Sequence, residues 1–309
     1  VTQNDSPLHR LKSWSNSLTT SSIPSNCYLS DIVAYDVSSE GLLTSEGMMC
    51  QLPVVELALA TGNAQIETTQ LPVEASAAIA IPVHQEDRVV SVVLLVARKP
   101  DATVTDPIGV FEVWEPIGQY PELALKSGFY GAMERFQNVS SFVRFEKGNG
   151  LPGAVWEQRC AVIHDQLADH PGFLRAAGAS ADLLRTAIGI PVGGKDYQST
   201  VVLISSASTP IARGMEVWAA RPETNEFELT SAAYYDLGTD YELPIGTLCS
   251  SDAAPFARVL EEKRALVTDD PQVLLATRSK DVALPGPTSG LIIPNFEGET
   301  LTSIAIFHF

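Results

Sequence analysis

Apolar positions along this chain gather in short runs broken by Gly, Pro and polar residues, the spacing of strands and hairpins rather than of long helices. The plainest hairpin is Ala187-Ile-Gly-Ile-Pro191, a turn at Gly193-Gly194, and then Thr200-Val-Val-Leu-Ile204. It has two relatives: Ile79-Ala-Ile-Pro82 followed by the apolar run 89–97, and Leu291-Ile-Ile-Pro294 followed by residues 301–309. A pattern that returns in register is the signature of a repeated structural unit. Glu112-Val-Trp114 returns as Glu216-Val-Trp218, and at the same offset Leu125-Lys-Ser127 meets Leu229-Thr-Ser231 and Tyr130 meets Tyr234. Residues 155–165 lie over 259–269 without a gap, and residues 59–68 lie more loosely over 156–165, with Ala64 opposite Ala161 and Ile66 opposite Ile163. Residues 1–46 match neither. Three units are expected: a degenerate one over 1–105, and two better preserved over 106–213 and 214–309.

Within the central unit, residues 109–114 and 123–127 predict an antiparallel pair and 141–145 a third strand. A short helix is expected over 154–159, an extended segment over 161–163, and an amphipathic helix over 173–184 laid on the sheet. Hairpins with segregated helices make the expected fold class α+β.

Composition narrows the function classes. The chain has 309 residues, about two domains by length alone, and the repeat raises that to three. With 45% hydrophobic and 18% charged residues it has the material for real cores. Its net charge of -17 repels phosphate backbones, so no nucleic-acid partner is expected. The longest apolar run, 89–97, is about half a bilayer-spanning length, so no membrane partner is expected. The opening VTQNDSPLHRLKSW holds no apolar signal-like core, and the expected compartment is the cytoplasm. Cys27, Cys50, Cys160 and Cys249 are far apart and read as reduced thiols, outside any C-x-x-C zinc pattern.

The segment Phe145-Glu-Lys-Gly-Asn-Gly-Leu-Pro-Gly-Ala-Val-Trp156, followed by Ala161-Val-Ile-His-Asp165, Phe173-Leu-Arg175, Ala187-Ile-Gly-Ile-Pro191 and the Val-Val-Leu-Ile strand, resembles the GAF domain family, best over 106–213. The resemblance implies tandem antiparallel sheets with helices over one face, a small-molecule pocket beneath them, and roles in sensing or dimerisation. It places Arg144, Trp156, Cys160, His164, Arg175 and Arg185 around the pocket of the central unit. GAF domains usually carry helices at both ends over the second sheet face, but only residues 205–214, with Pro210, separate units two and three. Residues 92–96 and 201–204 are apolar on successive positions, so both faces need cover. At about 25 cal/mol per Å² of apolar surface, a bare face is costly, and neighbouring units or a second chain in a homodimer are expected to supply the cover.

The sharper motifs have plain structural readings. Gly148-Asn-Gly150-Leu-Pro-Gly153 spells G-x-G-x-x-G, but Asp165 follows too soon for a dinucleotide unit, which predicts a tight loop. Gly189-Ile-Pro-Val-Gly-Gly-Lys195 lacks both the hydroxyl and the helix of a phosphate loop and reads as a hairpin turn with positive φ at its glycines. His164, Asp165 and His170 are not spaced to share one helical face, so no metal or other cofactor is expected. Trp114 and Trp218 read as core packing at a shared position. Arginines near a pocket would hold a carboxylate or phosphate. The leading expectation is a non-catalytic sensing and binding protein, in signalling, whose central unit takes a small-molecule ligand or whose sheets mediate self-association. The alternatives are a GAF-type thiol enzyme or redox sensor using Cys160, and a scaffold with collapsed pockets.

Overall fold

The computed structural model describes residues 17–38, 41, 43–45, 48–49, 52–71, 74–100, 108–278 and 286–309. Residues 1–16, Cys50 and the 105/106 unit boundary lie outside them. Three antiparallel sheets follow one another along the chain. The first comprises β1 (Ser17–Leu18), β2 (Leu29–Val37), β3 (Leu43–Ser45), β4 (Met48–Met49), β5 (Gln65–Glu67), β6 (Ala75–Gln85) and β7 (Arg88–Arg98), with helix α1 (Pro53–Thr61) between β4 and β5. The second comprises β8 (Gly109–Pro116), β9 (Glu122–Phe129), β10 (Arg144–Glu146), β11 (Val162–His164), β12 (Leu184–Gly193) and β13 (Tyr197–Ser206), with helices α2 (Glu134–Phe142), α3 (Gly150–Gln158) and α4 (Ala176–Ala181). The third comprises β14 (Gly214–Arg221), β15 (Glu226–Tyr234), β16 (Leu248–Ser250), β17 (Leu266–Thr268), β18 (Gly290–Glu297) and β19 (Thr300–His308), with helices α5 (Ala254–Glu262) and α6 (Pro271–Leu275).

The strand orders are β4-β3-β2-β7-β6-β5, β10-β9-β8-β13-β12-β11 and β16-β15-β14-β19-β18-β17, one topology written three times, with β1 added beside β2. The Ile-Pro pairs anchor the correspondence: Pro82 faces Val92, Pro191 faces Thr200 and Pro294 faces Ile304. Proline is tolerated in these strands because the outer neighbour ends before reaching it, with Gln65 paired to Ala80, Val162 to Gly189 and Leu266 to Ile292. The Ala64/Ala161 and Ile66/Ile163 matches of the sequence fall at equivalent places, since Ile66 pairs with Ile79 and Ile163 with Ile188.

The sheet faces away from the helices meet one another. One cluster of buried side chains draws Ile79, Ile81, Val93 and Leu95 from the first sheet, Ile188, Ile190, Val201 and Leu203 from the second, and Leu291, Ile293, Ala305 and Phe307 from the third. Each of these side chains except Ala305 contributes about 1.5–3 kcal/mol by leaving water. The apolar faces that needed cover are thus covered by the neighbouring sheets of the same chain. The three Ile-Pro pairs converge around one small gap lined by Ile81, Pro82, Ile190, Pro191, Ile293 and Pro294. The hairpin turns meet there too: the Glu86 amide donates to the Gly298 carbonyl at 2.8 Å, and a Cβ on Gly194 would collide with the Glu86 carbonyl oxygen.

The contacts between sheets run in a cycle. Strand β5 lies against β9, β11 against β15 and β14, and β17 against β1 and β2. A serine at one equivalent position marks each junction. Ser199 Oγ donates to Asn63 Oδ1 at 2.5 Å, Ser303 lies beside the Cys160 thiol, and Ser91 Oγ accepts from the Ala265 amide at 3.0 Å. The linker carrying Pro210 is buried from Thr209 to Ala212, and its Pro210 carbonyl accepts from the Tyr28 amide.

Several local expectations change. The α+β class overstates the helix content, for the helices described are only five to nine residues long. Residues 134–142 form a helix that the apolar spacing did not announce, because only Phe136 and Ser140 of it are buried, and the third strand shrinks to Arg144–Glu146. The helix over 173–184 contracts to Ala176–Ala181. Phe173 and Arg175 turn inward ahead of it, and Leu183 takes φ 57°, which ends it. The helix over 154–159 begins earlier, inside the glycine-rich loop, where a Cβ on Gly153 would strike the Glu146 carbonyl oxygen. Only Gly193 of the Gly193-Gly194 turn has a positive φ; Gly194 is required by the neighbouring hairpin instead.

Candidate functional site

The helix-covered face of each sheet is where the repeat allows a pocket, and its central positions differ between units in one decisive way. In the second sheet, the Glu112 carboxylate is fully buried and accepts from Trp114 Nε1 (2.9 Å), Tyr130 Oη (2.8 Å), Arg175 Nη1 (2.5 Å) and Arg175 Nη2 (2.9 Å). Ser140 Oγ accepts a further bond from Arg175 Nη1 at 2.6 Å. The guanidinium stands 4.6–5.6 Å from the ring centres of Phe136, Trp114, Phe173 and Phe145. This geometry fills the space beneath the helices.

The third sheet repeats the device. Glu216 accepts from Trp218 Nε1 (2.9 Å), from Tyr234 Oη (2.6 Å) and from both terminal nitrogens of Arg278, and His308 Nε2 lies 3.2 Å away. Burial by itself raises the Glu216 carboxyl; His308 and Arg278 more than reverse this and hold it well below the usual carboxylate range. Tyr241 closes the site, with the Arg278 guanidinium 3.8 Å from its ring centre.

Counted from the Ile-Pro pairs, the first sheet has Val33 where the others have Glu112 and Glu216, and Tyr35 where they have Trp114 and Trp218. Val33 replaces the carboxylate, none of the described residues brings an arginine to it, and the same face holds a cavity of 260 Å³. Val33, Tyr35, Ala78, Leu94 and Val96 line it from the sheet, Leu52, Pro53 and Val54 from the start of α1, and Leu71 from the loop after β5. Ala75, Asp31, Glu67, Gln70 and Glu74 also line it. Asp31, Val96, Ala78 and Glu67 form one cross-strand row, so two carboxylates bracket an apolar floor. Glu67 is ionised far into acid: backbone and hydroxyl donors of Thr69, with the Gln70 and Thr68 amides, bring it down to about 2.

The six residues expected at a central pocket do not converge. Arg144 is exposed on the edge strand and donates to the carbonyls of Ser141 and Val143. Trp156 stacks on Tyr197 at 5.5 Å between ring centres. Cys160 lies at the junction with the third sheet beside Thr302 and Ser303, its thiol pushed up chiefly by burial. His164 is buried and stacked on His170 at 3.8 Å, so these two rings meet without sharing a helix; burial, then His170, lowers it to about 4. Arg175 occupies the interior site on Glu112, and Arg185 pairs with Asp165 at 3.4 Å and lies over Tyr235. Among the described residues, no three His, Cys, Asp or Glu side chains come together as metal ligands, and no helix is long and apolar enough to cross a membrane.

The buried Glu112 and Glu216 escaped the sequence reading. Both stand in the repeated Glu-Val-Trp segment, and Tyr130 and Tyr234 at a shared offset were the visible trace of their hydrogen bonds. No protein-family model matches the chain, and no curated protein matches it. Among solved structures, the chain is similar to the nlh2 GAF domain of A. aeolicus in an inactive state, at 16% identity over 32% of this chain and 58% of that one, with a TM-score of 0.26. It is also similar to the free methionine-R-sulfoxide reductase of Neisseria meningitidis in complex with its substrate, at 18% identity over 33% of this chain and 53% of that one, with a TM-score of 0.25. The chain spans little more than half the length of either.

Proposed function

We propose that this chain is a non-catalytic, GAF-like binding protein in which the first sheet takes up a small, largely apolar molecule while the second and third sheets hold it in place as filled scaffold units. One observation carries the reading: at equivalent positions two units bury a Glu-Arg pair under their helices, and the first has a 260 Å³ cavity instead. Cavities lined mainly by apolar side chains with a few polar groups are the usual sites of small-molecule binding. This reading moves the ligand from the central unit, where Arg175 takes the space, to the first. Cys160 enters it as a junction residue, since a half-buried thiol with a raised pKa is a poor nucleophile.

The test is binding of a neutral apolar probe, 1-octanol, followed by protein NMR on the intact chain. Shifts are expected at Val33, Tyr35, Ala78 and Leu94, and Ala78→Phe, which fills the cavity floor, abolishes them. Absence of binding, or unchanged binding in the Ala78→Phe variant, overturns the reading. Native mass spectrometry of freshly purified protein then identifies the natural occupant.

A further inference from the structure

The chemistry of the first sheet's cavity, taken with its two filled siblings, specifies the charge of its ligand. Each sibling site already contains what amounts to a built-in ligand: a guanidinium on an aliphatic stem, held by a carboxylate and by aromatic rings. In the first sheet the three elements of that recognition are rearranged. Tyr35 supplies an aromatic ring at the position of Trp114 and Trp218. The central carboxylate has become Val33, which leaves apolar floor. The negative charge has moved one row along, to Asp31, whose counterparts are Val110 and Gly214, and it is reinforced by Glu67 across the same row and by Glu74 beside it.

Among the described residues lining the cavity there is no Lys, Arg or His. The start of α1 opposes the carboxylates there; a helix N-terminus is worth about half a positive charge, and here Pro53 has no N–H to offer. Three carboxylates outweigh it. Glu67 cannot be neutralised near neutral pH, because its loop donors keep it ionised.

We infer that the site takes a cationic amphiphile, an amine or guanidine with an apolar body lying on the Val33–Leu94–Val96–Ala78 floor and its charged head at the acidic rim, where Asp31 and Glu67 bracket that floor and Glu74 adds a third carboxylate. The volume sets the size. An engineered apolar cavity of about 150 Å³ holds benzene, so this one holds a molecule on the order of ten non-hydrogen atoms. The inference rests on the proposed function, and its test separates the two.

Three probes of one length and different head charge are titrated into the full chain by calorimetry at low ionic strength: octylammonium, 1-octanol and octanoate. The expected result is octylammonium binding at least tenfold tighter than 1-octanol, octanoate weaker than the alcohol, and the preference shrinking as salt rises. Asp31→Asn with Glu74→Gln brings octylammonium to within about twofold of the alcohol. Ala78→Phe, which keeps the net charge of -17, removes the binding of all three and so separates the cavity from general attraction to an acidic protein. Equal affinities of the three probes in the unaltered chain overturn the charge inference and leave the cavity reading standing. Octylammonium binding that survives in Ala78→Phe overturns it as well. If none of the three binds, both fail. Should a variant fold poorly, the three titrations of the unaltered chain still decide between charge preference, binding without it, and no binding.

Discussion

Replacing Arg175 by Met keeps an unbranched stem in the second sheet's interior but removes its charge, and the structure fixes what is left behind. Glu112 loses two of its four hydrogen-bond donors, keeping Trp114 Nε1 and Tyr130 Oη, and Ser140 loses the Arg175 contact. Both side chains of the pair are completely buried, so water cannot replace the missing donors. Breaking a buried pair on one side costs about 3–5 kcal/mol, because the survivor's charge stays desolvated and unpaired. Loss of the four ring contacts adds to this, and we expect about 4 kcal/mol in all, or a fall in Tm of about 6 °C for a protein of this size. The assay is a double-mutant cycle in urea with Arg175→Met, Glu112→Leu and both together. The double variant, which leaves a wholly apolar interior, is expected to lie within about 1–2 kcal/mol of the parent, giving a coupling of about 2 kcal/mol or more. A single substitution costing under about 1 kcal/mol, or costs that merely add, would refute the reasoning that this pair fills the pocket as an internal ligand.

Two further outcomes follow from shifted ionisations. Burial holds His164 at about 4, below the ordinary value near 6.5, so the unfolded chain binds more protons between those values. Stability from this group is therefore full above about pH 6.5 and lost as the pH falls toward 4. Urea midpoints measured from pH 7.5 to 5 are expected to drop by the equivalent of about 1–2 kcal/mol, the figure being discounted for partial solvation. His164→Thr, the residue the third sheet has there as Thr268, flattens that slope. Alkylation of Cys160 by iodoacetamide at pH 7.5, followed by peptide mass spectrometry, is expected to run at least tenfold slower than that of free cysteine, since burial raises its thiol pKa. A rate equal to that of free cysteine would favour thiol chemistry at the junction.

The three-sheet plan was legible because strands and their pairing leave period-two patterns and the Ile-Pro hairpins leave a rigid signature. The need for cover on the second sheet face was legible too, from successive apolar positions at 92–96 and 201–204. What hid was anything decided by partners far apart in sequence. Arg175 and Arg278 reach Glu112 and Glu216 from loops whose lengths differ by one residue between units, so alignment in a fixed register never brought the two arginines opposite each other. Cys160 shows the same blindness. Its counterparts are Asn63 and Arg264, residue types with nothing in common, yet all three face a neighbouring sheet, Asn63 through Glu115 and Ser199, Arg264 through Asp36. The cavity was invisible for the opposite reason: it is defined by what Val33 does not do, and an ordinary valine in a strand carries no mark of the glutamate its siblings have.

Because the junctions run in a closed cycle, no unit of this protein is terminal. In a linear array, trimming the last repeat uncovers one seam; here deleting any one uncovers two, on both survivors at once, and the greasy surfaces so bared belong to a common interior. Gene fragments carrying one or two sheets should consequently be recovered as insoluble or chaperone-bound material, and a permuted chain reopened at a different linker should fare better than any truncation.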